Sequence, residues 1–420
     1  MRVWEVVGAP GFRRLLLTRF AAQWADGVYR AGLAGAVLFN PERATDPLAI
    51  AGGFAALLLP YSVVGPFAGA LLDRWDRRRV LIFANLVRGL AIVASAAAVG
   101  LGASGLGLFS LALLAEGVSR FVGSGLSAAL PHLVPEAEVV KANAFSSTVG
   151  SVIAVVGGGC AIGLRAVLGS DNVGSGYTTA LAAIGPVVAA LVATRFVRGV
   201  LGPSAVDEPS NPVVAVARGL VDGGRAALAA PRVTAGFIAL FAHRASFGAS
   251  LLVTVLLMRN TFTSHGLFRA GLPGLGQVAV LAGAGIVVAG LLTARLITAF
   301  GRSRVVLGAL LLAALAQAGL GLPMLLPTVL LASFVIVGAG QVIKLCVDSS
   351  VQLDVADEAR GRVFALYDTL FNITQVAAVS VAAAVVPTDG RSTGLLIAAT
   401  LCYLLGGAGY VLARRRAHSQ

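Results

Sequence analysis

Apolar runs long enough to cross a bilayer core of about 30 Å, which takes a helix of roughly 20 residues, follow one another from end to end of this chain. Glycine, proline or charge ends each of them. Six fall near positions 12–39, 48–72, 80–101, 106–130, 141–168 and 177–197, and six more near 233–258, 275–297, 305–322, 326–353, 361–386 and 393–412. In hydrocarbon every backbone N–H and C=O must be bonded internally, and only a helix or a closed barrel achieves that. Runs of this length without two-residue alternation predict helices. The chain is therefore expected to be an all-α membrane protein with twelve transmembrane helices, organised as an N-terminal six-helix bundle (1–197), a linker (198–231) and a C-terminal six-helix bundle (232–420).

Composition supports that reading. The 420 residues are 57% hydrophobic and 12% charged, against about 25% charged in a soluble domain, which excludes an ordinary soluble enzyme. The formal charge of +13 is strung between apolar runs instead of gathered on one face, so no nucleic-acid partner is implied. Cys160, Cys346 and Cys402 all lie inside apolar runs without a pairing pattern and read as small packing residues. No cleavage site follows a short apolar core near Met1, so the first run reads as a retained span.

Lys and Arg fall unevenly on alternate loops. One set holds Arg2, Arg13, Arg14, Arg74, Arg77, Arg78, Arg79, Lys141, the central segment from Arg195 to Arg232, Arg302, Arg304, Arg360, Arg362 and the tail Arg414–Arg416. The other holds Arg43, Arg259, Arg269 and Arg391, with Arg165 near a helix end. Positive loops stay on the cytoplasmic side during insertion, so both termini are expected there. The halves also echo each other. At an offset of about 225 residues Gly65, Gly69 and Arg77–Arg79 fall on Gly290, Ala294 and Arg302–Arg304, as in transporters built from repeated bundles.

The loop after the second run reads G-A-L-L-D-R-W-D-R-R-R from Gly69 to Arg79, preceded by Leu59-Pro60-Tyr61 and Gly65-Pro66. A glycine there lets a neighbouring helix approach, Asp73 can accept from exposed N–H groups at a helix start, and the arginines can pair with acids or lipid phosphate. A topogenic basic loop would explain the arginines alone, without Gly69 or Asp73. The stretch resembles the signature between helices two and three of the major facilitator superfamily, matched by Gly69, Asp73, Arg74, Arg77 and Arg78. Leu130 to Pro135 running on to Ala142-Asn143, and Arg360 to Phe364, resemble the branch that includes the enterobactin exporters. The resemblance implies two pseudo-symmetric six-helix bundles, a central cavity lined by helices one, four, seven and ten, and a latch in which Asp73 and its basic partners stabilise the outward-facing state by bridging to the eleventh helix. Antiporters of the family often carry Gly-Pro-x-x-Gly-Gly in helix five. Here 159–164 reads G-C-A-I-G-L, without the proline, though Gly157 to Gly163 still offers close helix packing.

Charge inside a span costs about 2.5–3.5 kcal/mol per residue on insertion scales, so several on one helical face call for partners or a watery cavity. At 100° per residue, Arg19, Gln23, Asp26 and Arg30 fall within about 60° on the first span. Gln341, Lys344, Asp348 and Gln352 fall within about 80° on the tenth, and Asp368, Asn372 and Gln375 within about 60° on the eleventh. The fourth aligns Glu116, Arg120 and Ser127, and the seventh His243, Ser246, Ser250 and Thr254, with Arg244 adjacent. The i, i+4 pairs Asp26–Arg30, Glu116–Arg120 and Lys344–Asp348 can equally be structural, and His243 a packing residue. Arg19 and Arg88 lie where they can reach headgroups from helix ends.

A carboxyl that moves between dry and wet surroundings can carry a proton; the candidates are Asp26, Asp348, Asp368 and Glu116. Gln23, Arg30, Arg120, His243, Arg244, Gln341, Lys344, Asn372 and Gln375 are candidates for the solute cavity, whose cationic excess points to anionic or zwitterionic amphiphiles. The sequence thus predicts a monomeric secondary transporter of a bacterial inner membrane, exporting a small amphiphilic compound in exchange for protons by alternating access. Its partners would be solute, protons and membrane lipids, with no cofactor or metal. Proton-coupled import is the alternative. A lipid-modifying membrane enzyme is a further one, for which no H-E-x-x-H, Gly-x-Ser-x-Gly or P-loop is found.

Overall fold

The computed structural model describes residues 10–38, 47, 50–53, 55, 76–135, 139–202 and 212–416. Most of the second span, with Gly69, and the following Asp73 and Arg74 lie outside the described residues. The first span is α1 (Pro10–Leu38), the third α2 (Arg77–Gly100), the fourth α3 (Leu106–Ala129) and the fifth α4 (Val139–Leu168). The sixth is broken: α5 (Asn172–Ala180) passes through a 3-10 turn (Leu181–Ala183) into α6 (Ile184–Thr194). A linker helix α7 (Pro212–Ala229) leads to α8 (Pro231–Asn260), α9 (Gly271–Phe300), α10 (Arg302–Ala316), α11 (Leu326–Asp354), α12 (Asp357–Val385) and α13 (Thr393–Arg416), which are spans seven to twelve.

Among the described residues, ten helical segments are long and apolar enough to cross a membrane. α1 is not among them although its 29 residues reach about 43 Å. Arg13, Arg14, Arg19, Asp26 and Arg30 lower its apolar content, so its place depends on what it packs against. That partner is chiefly α4. A Cβ on Gly27 would run into the Ala154 carbonyl, and one on Gly157 into the Trp24 carbonyl, so the two backbones touch through small residues.

Helix ends follow local chemistry. Asp76 caps α2 by accepting from the Arg78 N–H at 2.9 Å, and Asp171 caps α5 by accepting from the Gly174 N–H at 2.9 Å. Proline opens α8 and sits in the first turn of α11. Gly301, at φ 77°, separates α9 from α10 in a conformation that L side chains rarely adopt. Hydroxyls inside the spans bond back one turn, as Ser95 does to Ala91 O, Thr178 to Gly174 O and Thr293 to Ala289 O, which satisfies them without water.

The chain divides into two compact units: residues 1–44 with 55–216, and 217–420 with 45–54. In the first unit two apolar clusters form. One gathers Phe12, Leu15, Leu16, Leu81, Val122 and Leu126; the other Val28, Tyr29, Leu33, Ile92, Val99 and Leu108. Asp26 of α1, Arg88 of α2 and Ser119 of α3 fall between the positions of the two clusters along their helices. In the second unit one cluster built on Val233, Phe237, Leu240, Val306, Ile343, Val347, Tyr367 and Tyr403 holds α8 and α10–α13 together. α7 adjoins α12 in this unit: a Cβ on Gly223 would meet the Arg362 backbone, and Asp222 lies 3.4 Å from the Arg362 guanidinium.

Candidate functional site

Mid-helix charges in the first unit come from three spans. Asp26 faces α2, where the Arg88 Nη2 donates to its Oδ1 at 2.5 Å, and α3, where Ser119 Oγ donates at 2.6 Å. Arg30, one turn along α1, is 4.0 Å from Asp26 and bonds Glu116 instead: its Nε lies 3.1 and 3.2 Å from the two carboxylate oxygens and its Nη2 2.7 Å from Oε2. Arg88 and Glu116 are each 1% exposed, a depth at which an ion needs a hydrogen-bonded counter-ion. Both have one.

Asp26 and Arg30 also line a cavity of about 400 Å³, together with Arg19 and Gln23 of α1, Ser119, Arg120 and Ser127 of α3, and Ser151 and Ala154 of α4 among others. Arg19 spans one wall, donating to Ser127 Oγ at 2.7 Å and Ser146 Oγ at 3.0 Å. Counting the pairs behind the wall, four guanidinium groups meet two carboxylates, so the described residues of the site carry a net positive charge. A hollow of this size and polarity suits a drug-sized molecule with a charged group.

Several sequence expectations change here. The i, i+4 pairing of Glu116 with Arg120 gives way to the interhelical pair with Arg30, and Asp26 is held by Arg88 more closely than by Arg30. Arg88 does not reach headgroups: it is the midpoint of α2, and Nη1 also donates to Ala22 O at 3.3 Å. Arg19 is likewise buried among hydroxyls. Sequence reasoning missed Arg88 and Ser119 as partners of Asp26. A lone arginine with no acid within a turn, central in an apolar run, was the available signal.

The second unit is drier. His243, Arg244, Gln341 and Lys344 meet around a hollow of about 70 Å³ with Phe247, Gly340 and Phe371. His243 donates through Nε2 to Ile336 O at 3.0 Å and is buried, and Arg244 lies over the Phe371 ring at 3.5 Å, a cation–π contact. Lys344 makes the local pair with Asp348 at 2.8 Å and sits 5.3 Å from the Tyr367 ring centre. Asp348, Asp368, Asn372 and Gln375 do not line this hollow; Asn372 donates to Asp368 O at 2.8 Å, and Gln375 is buried. The rest of the α8 stripe serves packing: Ser246 bonds Ala242 O and Ala399 O, Ser250 bonds Gln317 Oε1 at 2.8 Å, and Thr254 bonds Ser250 O. Of the latch residues, Arg77 donates to Ala128 O at 2.9 Å and Leu201 O at 3.2 Å and lies 3.0 Å from the His132 ring, while Arg78 donates to Thr194 O at 2.9 Å.

Compared with known proteins, residues 16–379 match the Major Facilitator Superfamily model. Two relatives described as uncharacterized MFS-type transporters, one from Mycobacterium bovis and one from Mycobacterium tuberculosis, are each 43% identical over 422 residues, covering 99% of this chain and 94% of theirs. Solved structures of similar fold include a POT peptide transporter (TM-score 0.72, 15% identity, 97% of this chain and 95% of that one) and the nucleoside transporter NupG (0.70, 11%, 96% and 99%). A bacterial homologue of the human lysosomal transporter Spinster, inward-facing and unoccupied, gives 0.66 at 15% identity, covering 97% of each chain.

Proposed function

Since the chain belongs to the Major Facilitator Superfamily, and is accordingly a multi-pass membrane transporter, we propose that it is a proton-coupled secondary carrier of a small amphiphilic solute, working by alternating access in a bacterial inner membrane with both termini cytoplasmic. The observation that carries the proposal is the N-terminal cavity: two acid–base pairs at mid-span, Asp26–Arg88 and Glu116–Arg30, each with one member lining a polar hollow of about 400 Å³. Carboxylates at such a depth can take up a proton when a cationic partner is drawn away. Asp348, next to Lys344, is the corresponding group of the C-terminal unit.

Export in exchange for protons, which the exporter resemblance implies, requires solute and proton to exclude each other. Uptake together with protons requires that they assist each other. The relatives' names say transporter and leave the direction open.

The test uses protein in liposomes under an imposed pH gradient, which supplies about 1.4 kcal/mol per proton for each unit. Solutes would first be chosen from an amphiphile panel by thermal stabilisation, since a ligand stabilises the state it binds. Intact protein should accumulate the solute against its gradient, and the Asp26→Asn, Glu116→Gln variant should only equilibrate it. Equal accumulation by both removes these carboxylates from coupling; accumulation indifferent to pH removes the proton.

A further inference from the structure

Arg30 occupies a position unlike that of the buried cations Arg19 and Arg88. Its guanidinium satisfies both oxygens of Glu116, which is almost wholly buried, yet the arginine itself is 38% exposed and lines the cavity. Asp26 depends on Arg30 far less, because Arg88 and Ser119 hold it from behind and Arg30 is 4.0 Å away. A negative group entering the cavity meets Arg30 from the open side, with Arg19, Arg120 and the Gln23 amide around it. It competes with Glu116 for the planar fork of N–H donors that carboxylates, phosphates and sulfates bind in the same way.

We infer that the N-terminal cavity is a subsite for the anionic group of the solute, a carboxylate, phosphate or sulfate, and that engaging Arg30 there transfers a proton from water to Glu116, so that anion and proton are carried together. This rests on the carrier reading and gives it a sign. The described groups facing Glu116 are Arg30, Asp26 and Tyr29 of α1, Arg88 of α2 behind Asp26, and Arg120 on its own helix; the Tyr29 hydroxyl is engaged with Ser95 at 2.9 Å. Arg30 alone among these cations is hydrogen-bonded to the Glu116 carboxylate. Once its charge is shared with a solute anion, a carboxylate this deep is favoured in its neutral form. By linkage, a solute that raises proton affinity has its own affinity raised by protons. Partners that assist each other's binding move in the same direction, so the inward proton gradient would drive uptake of a monovalent anion with no net charge moved.

The experiment uses full-length protein in lipid nanodiscs, titrated calorimetrically with 4-phenylbutyrate, phenyl phosphate and phenyl sulfate, and with benzyl alcohol and phenyltrimethylammonium as uncharged and cationic counterparts. Repeating each titration in buffers of different ionisation heat counts protons. The anions should bind at least about tenfold more tightly than their counterparts, the worth of a single good charge-assisted contact. Each should take up one proton, with Kd rising about tenfold per pH unit on the alkaline side. Glu116→Gln should bind anions no more weakly than the intact protein, without proton uptake and with a flat pH profile, whereas Arg30→Gln should lose the preference for anions. Anions that bind no better than the alcohol, fail to bind at all, or bind without protons in the intact protein overturn the proposal, as does proton uptake that persists in Glu116→Gln. The intact-protein proton count stands even if a variant folds poorly. Anion binding with proton uptake but no gradient-driven flux in liposomes would sink the carrier reading and leave the subsite; gradient-driven flux of the cation alone would do the reverse.

Discussion

Arg88 shows how much a single side chain can decide in this fold. Placed at the midpoint of α2 and 1% exposed, it neutralises Asp26 and closes the back of the cavity. Replacing it by Met should cost about 3–5 kcal/mol, because an acid is left buried without its cation; chemical unfolding in detergent measures this. Adding Asp26→Asn should recover part of that loss, and a double variant no more stable than Arg88→Met would show that the pair is not what the site depends on. The stripes on α1 and α3 were legible because a 100° step fixes which side chains share a face. The Lys344–Asp348 pair was legible because it is local, and it is made at 2.8 Å. The partners of Asp26 and Glu116 were not, since Arg88 and Arg30 are 62 and 86 residues away in sequence and partner choice at that range is set by how helices rotate against each other.

Between helices, α1 and α4 of the first unit cross in close contact, where Gly27 and Gly157 leave no room for a side chain. Gly157→Val should lower stability by about 1–3 kcal/mol or more, the cost of forcing bulk into a filled contact, read as loss of monodisperse protein on heating. A melting profile like that of the intact protein would mean the helices are less tightly seated. The same logic applies to α8 and α11. A Cβ on Gly340 would run into the His243 ring, so Gly340→Ala should destabilise, and His243→Ala should relieve it. The sequence marked Gly157 to Gly163 as close-packing, but Gly159 and Gly163 have open space beside them; composition cannot say which side of a helix its neighbour takes. Among the described residues, span ends were legible from hydropathy to within about five residues. The break at Leu181–Ala183 and the π-turn at Gln317–Gly321 were not, because each depends on local backbone bonding and not on how apolar the run is.

At the scale of the whole chain, the offset of 225 residues that relates the halves has a counterpart in bonding. Arg77 opens the third span and reaches Ala128 O at the end of the fourth; Arg302 opens the ninth and reaches Ser350 Oγ near the end of the tenth at 3.2 Å. Each unit thus ties its third helix to its fourth through a first-residue arginine, the basic turn the sequence already showed to be repeated. Topology, proposed from loop charge, has a direct check: a fluorescent-protein reporter fused after Gln420 in a bacterial host should glow and a phosphatase there should stay inactive. The opposite pattern would invert the orientation. If the Asp73 latch operates, Asp73→Asn should slow turnover with solute affinity kept, as single-turnover flux would show; unchanged turnover would argue against it. The α1–α4 crossing adds a practical consequence. Two helices whose backbones meet through glycine cannot slide without separating, so dyes attached to the far ends of this pair would keep a constant spacing throughout the working cycle. They would give single-molecule measurements a built-in ruler against which every other displacement could be read.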